Sequence, residues 1–102
     1  LERINKEDLL KIKMQIEYVT NTYQKAYPIK ISSEKKEKGL VITMKLMGLP
    51  CDSAVDVYIS SDEFGDIYKA FGADFYATYW KDVLMKLKDK LNNRLIKWGL
   101  YI

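Results

Sequence analysis

Asp74-Phe75-Tyr76-Ala77-Thr78-Tyr79-Trp80-Lys81-Asp82-Val83-Leu84-Met85-Lys86-Leu87-Lys88-Asp89-Lys90-Leu91, continuing through Arg94 and Leu95 to Trp98, is the stretch that decides the fold. Its apolar positions Ala77, Trp80, Leu84, Leu87, Leu91, Leu95 and Trp98 recur three and four apart, which is the repeat of a long amphipathic helix and of no strand. Asp74 stands where a side-chain oxygen can cap the free N–H groups of that helix, and Gly99 where a left-handed residue can close it. A helix with one apolar stripe needs a surface to cover.

The segments before it supply that surface. Ser60 and Glu63 have the spacing of a capping box, so a short helix is predicted to run to about Phe71, with Phe64, Ile67, Tyr68 and Phe71 available for packing and Gly72 ending it. Ile29–Ser32, Leu40–Met47 and Ala54–Ile59 alternate apolar with other residues, the period of strands. Leu40, Ile42, Met44 and Leu46 form one face of the second strand, and Val55, Val57 and Ile59 one face of the third. Glu34–Gly39 reads as a charged hairpin tip and Gly48–Ser53 as a turn or loop. Such short connections predict an antiparallel meander, because a parallel pairing would need a crossover of a dozen or more residues.

A first helix is predicted from Lys6 to Ala26. Asn5 is its N-cap, Glu7 and Asp8 suit the positive end of its dipole, and Pro28 disfavours helical geometry at Tyr27. Leu9, Ile12, Ile16, Val19, Tyr23 and Ala26 make its core stripe. Leu10, Met14 and Tyr18 form a second row, nearly opposite the first at 100° per residue. Either the C-terminal tail Leu100–Ile102 covers that row, or it is a face for a partner protein or a second copy of the chain, for which Met and Tyr are suited. The expected fold is therefore α+β: helix, three-stranded antiparallel meander, short helix and long C-terminal helix, with the helices mainly on one sheet face.

The 102-residue length fits one domain spanning 1–102 with one modest core, and the composition (48% apolar, 30% charged) is that of a folded globular chain. The short apolar runs and the missing signal-peptide pattern predict no membrane partner, and the single cysteine fits a reducing cytoplasm. A net charge of +3 permits nucleic-acid contact without demanding it.

The chain has no histidine, which removes the commonest general base, the histidine-dependent triads and the usual zinc sites. Cys51 has no histidine to activate it, and no glycine-rich phosphate loop is present. Asp62, Glu63 and Asp66 cluster at a helix start, where capping and the dipole account for them. A magnesium site that added Asp52 and Asp56 would need several carboxylates to converge. No enzyme activity, cofactor or metal is expected.

Two surfaces remain. Lys86, Lys90, Arg94 and Lys97 line one flank of the last helix. Tyr79 lies upstream of them, and together they form a candidate phosphate-tracking face for nucleic acid. Phe64, Tyr68, Phe71, Phe75, Tyr76, Tyr79 and Trp80 crowd two consecutive helices and cannot all face one core. Phe64, Phe71 and Trp80 are the core candidates, whereas Tyr68, Tyr76 and Tyr79 are candidates for outward, protein-contacting rings. In element order alone the chain resembles the double-stranded RNA-binding fold, without the Lys-Lys-x-Ala-Lys-like start that the last helix of that family carries. Its helix-meander-two-helix order is also similar to that of some small phage-encoded inhibitors of CRISPR nucleases. With the Lys, Ile, Asn and Tyr usage of AT-rich coding, this suggests a non-enzymatic protein-binding module, such as a phage or mobile-element accessory protein that inhibits or modulates a host protein. Nucleic-acid binding through the lysine flank is the alternative.

Overall fold

In the computed structural model, which describes residues 4–48 and 54–102, the elements run α1 (Lys6–Ala26), β1 (Ile29–Lys36), β2 (Gly39–Leu46), β3 (Val55–Ser60), α2 (Ser61–Phe71) and α3 (Tyr76–Leu95). The fold is the expected α+β one, with an open antiparallel sheet in the order β1-β2-β3. The caps of the first two helices are those the sequence predicts. Asn5 accepts from the Asp8 N–H at 2.9 Å, and Ser60 accepts from the Glu63 N–H at 3.1 Å. Gly99 is left-handed at φ 71° and follows a short 3-10 turn, Ile96–Trp98, that ends α3.

The sheet register sets the faces. Ile31 lies opposite Met44, Leu40 opposite Ile59 and Met44 opposite Val55. Ile42, Met44, Val55 and Ile59 are buried beneath the helices, whereas Asp56 and Tyr58 are exposed. Trp80, Leu84, Leu87, Leu91 and Leu95 of α3 complete the core with Val19 of α1. The two long helices run parallel: Lys11 pairs with Asp74, Gln15 with Ala77 and Thr20 with Trp80, in rising order along both.

Both sheet edges receive side chains from helices. Gln24 of α1 accepts from the Ile31 N–H at 2.9 Å on the outer side of β1. Lys90 and Arg94 of α3 donate to the carbonyls of Asp56 and Ala54 beside β3, both at 2.7 Å. These bonds occupy backbone groups that would otherwise template pairing with another chain.

Four expectations are corrected. The charged run Glu34–Lys36 belongs to β1, and the turn is confined to Glu37 and Lys38. These residues are exposed on both faces, so they carry no alternation to betray the strand. Asp74 does not cap α3: it sits in a 3-10 turn, Ala73–Phe75, and binds Lys11 at 3.1 Å. Phe71, expected in the core, is 60% exposed and stacks on Phe75 with ring centroids 4.3 Å apart. Trp98, counted in the apolar stripe of the last helix, is also mostly exposed, because the 3-10 turn takes it off the stripe.

Candidate functional site

The second row of α1 is uncovered. Leu10, Met14 and Tyr18 are 60%, 61% and 71% exposed. The C-terminal tail docks elsewhere. The Asn92 side chain accepts from the Ile102 N–H at 2.8 Å and donates to the Ile102 carbonyl at 3.1 Å, which seats Ile102 against the core at the far end of α3. A shallow cavity of about 500 Å³ runs along the row where α1 meets Ala77 of α3, with Glu7 and Lys11 at its charged margin. α1 thus buries one apolar stripe and leaves three large side chains, Leu10, Met14 and Tyr18, exposed on its back.

The tyrosines divide differently. Tyr76, expected to face outward, is fully buried, and its hydroxyl donates to the Phe64 carbonyl at 2.5 Å. Tyr76 stands four residues before Trp80, so it extends the buried Trp80-Leu84-Leu87-Leu91 stripe of α3 by one turn. Burial pushes its phenol above the ordinary range. Tyr68 is half-buried and donates to Asp8 of α1 at 2.6 Å, which ties α2 to the first helix. Tyr79 is half-buried and donates to Glu63 at 2.5 Å. Burial first, and that carboxylate second, hold its phenol well above the usual tyrosine range. Tyr68 and Tyr79 are thus bracing residues within the fold, and of the six side chains expected at a protein contact only Leu10, Met14 and Tyr18 stand mostly exposed.

The lysine flank is also partly committed. Lys90 and Arg94 serve the β3 carbonyls, and Lys86 pairs with Asp82 at 3.1 Å. Lys97 is exposed beyond the end of α3. Elsewhere on α3, Lys88 stands 3.8 Å over the ring of Tyr27. Of the four cations expected to form one row, Lys90 and Arg94 therefore prop the helix against β3, and Lys86 pairs within α3 itself.

Asp56, Asp62 and Asp66 are exposed, Glu63 is engaged by Tyr79, and no group of three ligating side chains among the described residues could hold a metal. Cys51 and Asp52 lie outside the described residues. No helix among the described residues is long and apolar enough to cross a membrane.

One organising residue carries no sequence signal. Gln15 of α1 donates to the Ala73 carbonyl at 2.7 Å and accepts from the Ala77 N–H at 3.0 Å, so it caps α3 from another helix. Set against protein-family models, curated proteins and solved structures, the chain matches none of them.

Proposed function

We propose that the chain is a non-enzymatic protein-binding module that works in the cytoplasm and docks through the back of α1. The observation that carries this reading is the Leu10-Met14-Tyr18 row, which stays exposed on a rigid helix while the tail is held away from it by Asn92. Apolar, flexible Met and amphipathic Tyr on a helix face are the anchors of helix-mediated recognition. The core stripe on the opposite side holds α1 in place, so the row is preorganised and loses little freedom on binding. An accessory role in a phage or mobile element, inhibiting or modulating a host protein, is the version suggested by residue usage and element order.

The test is affinity capture from the source host with nuclease present, with the wild-type chain and a Leu10→Ser, Met14→Ser, Tyr18→Ser variant. These positions are exposed, so the variant should keep the wild-type circular dichroism. Loss of a captured protein, or of a self-associated species in sedimentation, is expected in the variant. An unchanged capture list with unchanged sedimentation would overturn the reading, and a partner lost to nuclease alone would favour the lysine flank instead.

A further inference from the structure

Among the described residues, cavities bordering α1 differ in charge. The cavity against Ala77 has Glu7 beside Lys11, and a smaller one between α1 and β1 has Glu17. The third, of about 600 Å³, opens between the first half of α1, the hairpin end of the sheet and the start of α2. It shares no residue with the Leu10-Met14-Tyr18 row. Lys13 and Lys35 are its charged lining residues, and no aspartate or glutamate lines it. Its volume is within the range of about 300–1,000 Å³ typical of small-molecule sites.

The register gives this groove a direction. Lys35 lies opposite Leu40, and Leu40 opposite Ile59, so the three form a row straight across the helix-side face of the sheet, exposed at Lys35 and buried at Ile59. With strands roughly 4.8 Å apart, the row is about 10 Å long. Phe64 of α2 closes the β3 end and Leu9 of α1 forms a wall. The β1 end is cationic. Lys35 stands on β1 itself, and Lys13 lies three turns before Gln24 on the α1 face that reaches β1 through the Gln24–Ile31 bond. Neither lysine has an acidic partner among the described residues, whose ion pairs are Lys11–Asp74, Lys36–Glu34 and Lys86–Asp82.

An apolar floor with two unpaired ammonium groups at one end matches a ligand that is apolar along its length and anionic at its tip. A peptide would lay backbone N–H and C=O groups along Leu9, Leu40, Ile59 and Phe64, and the neutral polar side chains in the lining are only Ser60, already engaged as a helix cap, and Ser61 at the start of α2. A methylene chain brings no such backbone groups. We infer that the groove is a binding site for a single-chain alkyl carboxylate of medium length, with its head between Lys13 and Lys35 and its chain along Leu40 and Ile59 toward Phe64.

The experiment is an amide NMR titration of the whole chain, below micelle concentrations, with hexanoate, octanoate, decanoate, decanol and decyltrimethylammonium. Shifts are expected at the Leu9, Leu40 and Phe64 amides. Affinity should rise by roughly fourfold per added methylene until the floor is filled. Decanoate should bind better than decanol, and the cation should not bind. Lys13→Glu with Lys35→Glu, both on exposed side chains, should weaken decanoate by about tenfold or more and leave decanol unchanged. The Leu10→Ser, Met14→Ser, Tyr18→Ser variant should bind decanoate like wild type, so this site can fail while the docking face stands, and the reverse. Equal binding of the three ten-carbon probes, shifts away from the groove, or no binding would overturn the inference. So would preference for the acidic-apolar peptide acetyl-Leu-Leu-Glu-Glu-amide over decanoate, which would assign the groove to a protein segment.

Discussion

Replacing Gln15 by alanine is expected to cost about 2 kcal/mol, although Gln15 is a polar residue on a helix with no part in the apolar core. α3 has no side-chain cap of its own. Its first N–H groups have no partner within the helix, and Gln15 supplies one from α1 by accepting from Ala77 at 3.0 Å. The same amide donates to the Ala73 carbonyl at 2.7 Å, in a partly buried setting. Each bond is worth about 1 kcal/mol net, and losing a helix cap alone costs about 0.5–2 kcal/mol. With a urea slope near 1–2 kcal/mol/M for a small domain, the midpoint should fall by about 1–2 M. Trp80, buried and bonded to Thr20, is the fluorescence reporter for the transition. Two further variants sharpen the test. Gln15→Glu keeps the acceptor for Ala77 but turns a carboxylate toward the Ala73 carbonyl, so it should fall between wild type and Gln15→Ala. Asp74→Ala removes the residue that sequence alone nominates as the cap. Asp74 is exposed and makes only a surface ion pair, so its loss should cost less than about 0.5 kcal/mol. A Gln15→Ala protein as stable as wild type, or an Asp74→Ala protein equally damaged, would refute capping from α1.

Two further outcomes follow from single side chains. The Tyr79 phenol is raised above its ordinary value, by burial first and Glu63 second, and burial raises Tyr76 and Tyr23 in the same sense. The unfolded chain then ionises near pH 10 while the folded one keeps its protons. The stability they contribute is complete below about pH 10 and is lost as pH rises above it. Urea midpoints should be level from about pH 7 to 9 and drop above 10, less steeply in Tyr79→Phe, and an identical alkaline slope in that variant would contradict this. Gly39→Ala should destabilise by about 2 kcal/mol or more, because its Cβ would stand 2.4 Å from the Ile59 carbonyl oxygen and 2.7 Å from the Tyr58 ring. Trimming the ring with Tyr58→Ser should restore only part of the loss in chemical denaturation, since the backbone clash stays. Full recovery in the double variant would show the ring alone to be the obstacle.

The parts of this fold that sequence reveals are those encoded locally. Asn5 and Ser60 cap the helices they precede, because a cap needs only its own next three residues. The strand faces at Ile42, Met44, Val55 and Ile59 follow from period two. What sequence concealed depends on partners far along the chain. Lys36 is a strand residue only because Gly39 pairs with it. Gln15 and Asn92 look like solvated polar positions until the elements they cap or anchor are in place. Phe71 leaves the core to stack on Phe75 of the 3-10 segment, whereas Tyr76, four residues before Trp80, continues a stripe the sequence already displays. At the candidate site, the second row on α1 was legible from angular spacing but its exposure was not, because the tail is held elsewhere by Asn92, and the division of labour among Tyr68, Tyr76 and Tyr79 depended on which acceptor each hydroxyl finds.

The parallel arrangement of α1 and α3 has a consequence for how the chain is made. Tyr68 meets Asp8, Trp80 meets Thr20 and Ala77 meets Gln15 across 60, 60 and 62 residues of sequence. The β1–β2 hairpin closes within a short local loop and can form in microseconds, but α1 has no helix to lie against until α3 has been synthesised. At ribosomal rates of about 5–20 residues per second, both apolar rows of α1 stay open to water and to chaperones for several seconds. When α3 arrives it covers one row and leaves Leu10, Met14 and Tyr18 exposed, so the proposed docking face is open to solvent from synthesis through to the folded state.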